Sequence, residues 1–292
     1  MNFGRLMTAM ITPFGEDGQI SAEAVGVVVE HLVQTKTDTI VVSGTTGESP
    51  TLSQDEKTFL LQTVKKMARG RVKVLMGTGT NDTKETIANS RRAMQHGADG
   101  IMLVTPYYNK PPQDSLYQHF LAVAKSVDVP VLLYNVPGRT GCNMLPATVA
   151  KLSQVEAFIG VKEASGSLDQ VSEIARSVRE GFLIYSGDDS LTLPMLSVGA
   201  VGVVSVSSHI VGSEMKDMIE AFFAGRVDAA CKTHLHLLPL FKALFTTTSP
   251  IPLKWALNRL CYPAGEVRPP LYDMSVADKA LVEESLRLVG KL

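Results

Sequence analysis

Apolar residues fall along the chain in eight short runs rich in β-branched side chains, separated by longer segments. The runs lie at residues 6–12, 39–44, 72–77, 100–105, 130–134, 157–162, 182–186 and 202–206. Between them, segments 55–68, 84–95, 115–125 and 168–178 carry apolar positions at helical spacing. Ser53 followed by Glu56 has capping-box spacing ahead of the first of these helices. Thr83 followed by Glu85 and Thr86 marks a second capped start.

Strict alternation of strand and helix predicts a parallel sheet with crossover helices. An open doubly wound sheet usually places a glycine-rich turn after its first strand. Here that strand runs into Thr12-Pro13-Phe14-Gly15, and Gly77-Thr78-Gly79 after the third strand lacks the third glycine. Eight units predict instead a closed (β/α)8 TIM barrel, an α/β fold, over residues 1–225. The tail, 226–292, carries Leu235, Leu238, Leu240 and Leu244 in one stretch and predicts an appended C-terminal helical layer.

Barrels of this kind project reactive side chains from the carboxyl ends of their strands. Those ends carry Thr8 and Thr12, Thr45 and Thr46, Thr78 and Asn81, and Thr105 with Tyr107 and Tyr108. The list continues with Tyr134 and Asn135, Arg139, Lys162 and Glu163, Ser186 to Asp189, and Ser205 with Ser207. Hydroxyls dominate, with one lysine and one arginine, which suits proton relay better than metal binding. Lys162 closes the apolar run Ala157-Phe158-Ile159-Gly160-Val161. An ammonium at the mouth of a buried strand is costly to desolvate, and a lysine so placed is a candidate amine nucleophile for carbonyl substrates. Its alternative is a snorkelling side chain with its charge in water. Phe158, Gly160 and Lys162 alternate onto one face, so Gly160 is expected to leave room beneath the lysine.

Tyr134 ends the neighbouring strand and is the natural partner of that amine. The turn Thr45-Thr46-Gly47-Glu48 offers hydroxyls and backbone N–H groups to a carboxylate. Arg139, in a loop shaped by Pro137, Gly138 and Gly141, can present two parallel hydrogen bonds to a second carboxylate. Each also has an ordinary reading: a satisfied interior tyrosine, a strand-to-helix loop and a solvated loop arginine.

Composition removes several functional classes. Lysine and arginine number 28 against 29 aspartates and glutamates, which leaves no electrostatic footprint for nucleic acid or an anionic membrane. No apolar stretch reaches the roughly 18 residues of a membrane-spanning helix. The opening Met1-Asn2-Phe3-Gly4-Arg5 has no secretion-signal pattern, and Cys142, Cys231 and Cys261 form no paired motif, so free thiols in the cytoplasm are expected. His234 and His236 point apart on a helix and the other histidines lack ligand spacing, which disfavours a zinc-dependent aldol reaction. Asp188 and Asp189 follow the seventh strand, where barrels often bind phosphate, so an unphosphorylated carboxylate substrate fits better.

Four segments together carry a resemblance over essentially the whole chain. They are Gly44-Thr45-Thr46-Gly47-Glu48-Ser49, Thr105-Pro106-Tyr107-Tyr108-Asn109, Tyr134-Asn135-Val136-Pro137-Gly138-Arg139-Thr140-Gly141 and Gly160-Val161-Lys162-Glu163-Ala164. The chain resembles the 4-hydroxy-tetrahydrodipicolinate synthases, also called dihydrodipicolinate synthases, within the pyruvate-dependent class I aldolases. The resemblance implies a lyase of lysine and diaminopimelate biosynthesis that joins pyruvate to L-aspartate 4-semialdehyde through a Schiff base, with no cofactor and no metal. It implies that Lys162 forms the imine, that Thr45 and Thr46 hold the pyruvate carboxylate, and that Arg139 receives the semialdehyde carboxylate. Tyr134, Thr45 and Tyr108 would form the proton relay, Tyr108 coming from a neighbouring subunit of a homotetramer built as a dimer of dimers. Gly187 and Val204 would line the site through their backbone.

Ser49, Asn81, Glu85 and Tyr107 match an effector site for lysine. Gln54 and Lys57 stand where inhibited relatives often carry histidine, so weak or absent inhibition is expected. Ser249-Pro250-Ile251-Pro252 replaces a segment that often begins with asparagine. The alternatives are another pyruvate aldolase, acting on sialic acid or a 2-keto-3-deoxy sugar acid, and a catalytically silent barrel serving as a ligand sensor.

Overall fold

The computed structural model describes residues 3–292; Met1 and Asn2, which open the N-terminal segment read above, lie outside them. The chain runs through β1 (Leu6–Ala9), α1 (Ala22–Gln34), β2 (Thr39–Val42), α2 (Gln54–Ala68), β3 (Lys73–Gly77), α3 (Thr83–Gln95) and β4 (Gly100–Val104). It continues through α4 (Gln113–Ala124), β5 (Val131–Asn135), α5 (Pro137–Thr140), α6 (Pro146–Ser153), β6 (Phe158–Glu163), α7 (Leu168–Ser177) and β7 (Leu183–Ser186). Then come α8 (Thr192–Ser197), β8 (Gly202–Ser205), α9 (Ser208–Phe223), α10 (Val227–Ala243), α11 (Ile251–Arg259) and α12 (Val276–Leu288). The strands close in chain order, β1 to β8, as the expected parallel barrel. Each expected strand forms, although several stop short of the residues that carry chemistry.

The early stops have local causes. β1 ends at Ala9 because the Ile11 N–H goes to the ring of His209 instead of a neighbouring strand. β2 ends at Val42 because Ser43 turns into the left-handed region, φ 54°. The capping box at Ser53 and Glu56 is present. The second capped start is shifted by one residue: Asp82 caps α3, accepting the Glu85 N–H at 2.7 Å, while the Thr83 hydroxyl pairs with His119. An acid one residue upstream competes better for a helix-terminal N–H than a hydroxyl that has another partner.

The chain forms two compact units, one of residues up to Lys73 together with Ser205–Leu292, the other Val74–Val204. In the first, β1 and β2 pair in parallel from Met7↔Thr39 to Ala9↔Val41. Behind them Thr8 bonds Thr37 and Ser208 at 2.7 and 2.8 Å. In α10, Leu237, Leu240 and Phe241 are buried at helical spacing, with Leu244 following, while Leu235 is 59% exposed. In the second unit, β3 through β8 pair in order, and fully buried Leu103, Leu132, Leu133, Val161 and Tyr185 contribute to its apolar interior.

His209 has no exposure, and both ring nitrogens are used. Nδ1 donates to the Val206 carbonyl at 2.8 Å, and Nε2 accepts the Ile11 N–H at 3.2 Å. Only the neutral ring fits both roles. Burial foremost, with His31 adding to it and the Val206 carbonyl opposing, brings its pKa down to about 4. An unfolded histidine titrates near 6.5, so this stabilisation is complete above that value and is lost as pH falls toward 4. From this group alone the protein is expected to be about 2 kcal/mol less stable at about pH 5 than near neutrality. Urea unfolding at the two pH values checks it: His209→Gln should remove that part of the difference, and an unchanged pH dependence would refute the assignment.

Candidate active site at the carboxyl ends of the strands

One register places four polar residues. Tyr134 pairs with Lys162 across β5 and β6, and Asn135 pairs with Glu163. Side chains alternate along a strand, so Tyr134 and Lys162 share one face and Asn135 and Glu163 the other. Lys162 is only 6% exposed, and its Nζ lies 4.2 Å from the centre of the buried Tyr134 ring. That is within cation–π range and leaves the phenol available to work beside the amine.

On the opposite face the polar groups saturate one another. The Asn135 carboxamide donates to both Glu163 oxygens, at 3.3 and 3.0 Å. Glu163 also receives the Ser165 N–H at 2.7 Å and the Gln170 amide at 3.3 Å. Asn143 ties to Asn135 and Gln170, and Asn135 Oδ1 accepts the Met144 N–H. A buried carboxylate needs such donors, and together they fix the rotation of both strand ends. Sequence reasoning placed Asn135 and Glu163 on the rim but missed Asn143 and Gln170. The available signal was an acid directly following the lysine in a buried run, since such an acid must find donors on the other face.

The two glycines near the lysine serve different neighbours. The β5–β6 register slips between Val131 and Leu132, so Phe158 pairs with Val131 and Gly160 with Leu132. A Cβ at Gly160 would collide with the Leu183 carbonyl and stand 3.0 Å from the Leu183 carbonyl carbon. The expected space beneath Lys162 is therefore a close approach of β7 backbone. Gly187 is the glycine against the lysine: a Cβ there would meet Ala164 Cβ at 2.7 Å and Lys162 Cε at 3.2 Å. Its N–H donates to the Glu163 carbonyl at 2.8 Å. Val204, in β8, is 1% exposed.

Arg139 lies exposed in the single turn α5, started by Pro137 and closed by Gly141 at φ 69°. The next residue, Thr140, is buried and bonds Thr105 at 3.2 Å, and its carbonyl accepts the Tyr108 N–H at 3.2 Å. The arginine loop thus holds the tyrosine loop. Tyr108 is 89% exposed and adopts φ 73°, a strained backbone for a bulky residue. Tyr107 joins Asn81 and Glu85: burial first, then the Glu85 carboxylate, push its phenol above the usual value, and an Asn81 backbone contact opposes them.

In the other unit, Thr46 is buried and Thr45 half-buried, on a turn closed by Glu48 N–H to Thr45 O at 3.0 Å and Ser49 N–H to Gly44 O at 3.2 Å. Among the described residues no hydrogen bond uses either threonine hydroxyl, nor the Arg139 guanidinium. Several other rim hydroxyls are already engaged by the fold. Thr12 bonds the Gly47 carbonyl, Thr78 bonds Ser90, Ser186 bonds the Asp188 carbonyl, and Ser205 receives the Ser208 N–H. The buried hydroxyl of Ser249 has no hydrogen-bond partner among the described residues.

A closed parallel barrel with a buried amine over a phenol at its strand ends has the architecture of a barrel enzyme, and an amine so placed suits carbonyl substrates, as in class I aldolases. The comparisons agree with that class and narrow it. A family profile described as the dihydrodipicolinate synthetase family matches residues 2–288. A 4-hydroxy-tetrahydrodipicolinate synthase of Cyanothece sp. is 51% identical over 292 residues, covering 100% of this chain and 99% of the relative. The crystal structure of the Cyanidioschyzon merolae enzyme with lysine bound is similar at TM-score 0.98 and 42% identity, covering 99% of each chain. A structure described as the first monomeric dihydrodipicolinate synthase variant has TM-score 0.97 and 36% identity, covering 99% of this chain and 98% of that one. The chain belongs to the dihydrodipicolinate synthetase family.

Gly160→Ala tests the strand contact directly. The added methyl meets β7 main chain, which cannot swing aside as a side chain can, so stability should fall by about 3 kcal/mol in urea unfolding. A change below about 0.5 kcal/mol, the range of neutral surface substitutions, would show that the strands relax freely.

Proposed function

We propose that the chain joins pyruvate to L-aspartate 4-semialdehyde, forming 4-hydroxy-tetrahydrodipicolinate on the diaminopimelate route to lysine. The observation that carries this is the buried Lys162 amine over the Tyr134 ring, in a chain half-identical over its full length to such synthases. The Lys162 amine adds to the pyruvate ketone and, with loss of water, becomes an iminium. That cation is an electron sink, which acidifies the methyl protons and allows an enamine to form. The enamine carbon attacks the semialdehyde aldehyde. The semialdehyde's own amine then attacks the iminium carbon, which closes the ring and releases Lys162.

Thr45 and Thr46 receive the pyruvate carboxylate, a role supported by hydroxyls that no hydrogen bond uses among the described residues. Tyr134, Thr45 and Tyr108 pass protons. Arg139 takes the semialdehyde carboxylate with its guanidinium fork, and its exposure on a short ordered turn supports that role. Gly187 and Val204 line the site through their backbone. The chemistry calls for no cofactor, because the imine itself supplies the activation.

Tyr108 completes the relay of a neighbouring subunit in a homotetramer built as a dimer of dimers. A tyrosine 89% exposed on strained backbone supports this, since neither its own chain nor its backbone favours it there. The three cysteines are free thiols, as befits a cytoplasmic enzyme, and among the described residues no helix is long and apolar enough to cross a membrane. Asn81, Glu85 and Tyr107 together with Ser49 remain from an amino-acid effector site, weakened by Gln54 and Lys57.

Borohydride should trap pyruvate covalently on Lys162 and leave nothing trapped on Lys162→Ala. Arg139→Ala should raise KM for the semialdehyde roughly tenfold to a hundredfold, as loss of a charged hydrogen-bonding pair does, with KM for pyruvate unchanged. Pyruvate consumption with N-acetylmannosamine or glyceraldehyde in place of the semialdehyde would move the chain to a sister aldolase. Sub-millimolar lysine should leave the rate unchanged; inhibition in that range would restore a working effector site.

A further inference from the structure

The turn that carries Thr45 and Thr46 ends on a buried acid. Glu48 adopts left-handed backbone, φ 55° and ψ 36°, and is 3% exposed. Its carboxylate meets Lys254 of α11, Nζ to Oε1 at 2.7 Å, with the two side chains 1% and 2% exposed. The other oxygen accepts the Arg268 N–H at 2.8 Å. Lys254 also donates to the Glu266 carbonyl at 2.9 Å and lies 4.1 Å from the centre of the Phe14 ring, over which the Arg268 guanidinium stands at 4.2 Å. Thr12 holds the Gly47 carbonyl at 2.7 Å. Burial brings the Lys254 pKa down to about 8; Glu48 opposes this and Arg268 adds to it, so the Lys254 amine is still mainly protonated at neutrality.

A fully buried ion pair is a poor device for stability, because apolar residues of the same volume often do as well. What it supplies is a fixed position. Here it pins the residue two places beyond Thr46, in a backbone conformation that a glutamate does not choose by itself.

We propose that Glu48 and Lys254 are positioning residues for the pyruvate carboxylate, locking the Thr45–Thr46 turn through their ion pair. The role rests on those threonines holding that carboxylate. Neither residue touches substrate; each acts through the turn. The helical tail thereby contributes to pyruvate affinity from α11, which carries no catalytic group.

The test is borohydride trapping on Lys162 across a range of pyruvate concentrations. Glu48→Gln with Lys254→Met removes both charges and strands neither. Half-saturating pyruvate should rise about tenfold in this pair variant, with trapping at saturation and KM for the semialdehyde unchanged. Thr46→Val is the control. A shift in Thr46→Val with none in the pair variant overturns the proposal alone, and a shift in neither overturns the carboxylate role on which it rests. If the pair variant fails to fold, Lys254→Arg decides. It keeps the charge but changes the length of the clamp, and should raise half-saturation several-fold while trapping normally at saturation; wild-type saturation there overturns the proposal.

Discussion

Because Tyr134 pairs with Lys162 and Asn135 with Glu163, a single inter-strand register sends an amine and a phenol to one face and an acid and a carboxamide to the other. The two faces have opposite needs. One face leaves its groups available: Lys162 rests on a ring and, among the described residues, is in no ion pair. The supporting face must leave nothing available, and the Glu163 carboxylate is surrounded by donors from Asn135, Ser165 and Gln170. A slip of one residue would exchange the faces and put the carboxylate where the amine belongs. The polar network and the slip at Val131 work together against that, since one fixes the strand ends and the other sets their phase.

Close backbone approach is the second theme. Gly160 brings β7 against β6, and Gly187 brings the chain after β7 against the lysine. At both places the absence of a side chain is what permits the contact. The Thr45–Glu48 turn uses a different method, in which buried polar contacts from a distant segment hold a backbone shape that its residues would not keep alone. Ordered main chain in one case and ordered charge in the other yield the same outcome, a set of groups that need not reorganise when a substrate arrives.

Much of this was legible in the sequence. Short apolar, β-rich runs alternating with helical segments gave the barrel, because burying eight parallel strands leaves few other arrangements. Lys162, Tyr134 and Arg139 stood out because each ends or follows a buried run with a group that such runs normally exclude. The sequence did not reveal which hydroxyls the fold itself needs. Thr8, Thr12 and Thr78 look identical to Thr45 as letters, yet each bonds a neighbour that only three-dimensional packing supplies. Gly160 was misread for a similar reason: alternation says which face a residue belongs to, but not how closely the backbone of the next strand approaches it. Lys254 was invisible because its partner is some two hundred residues away, and no local pattern announces a long-range ion pair.

The unit that holds the threonine turn is discontinuous, with its first part ending at Lys73 and its second beginning at Ser205. During synthesis the ribosome releases Glu48 long before its partners exist; the Arg268 N–H that binds it lies 220 residues later. At about 5–20 residues per second, that acid waits roughly 10–40 s with neither Lys254 nor Arg268 available. The intervening unit, Val74–Val204, is contiguous and emerges whole within that interval. Translation order therefore makes the strand that carries Lys162 available before the Glu48 clamp can close on Lys254 and Arg268.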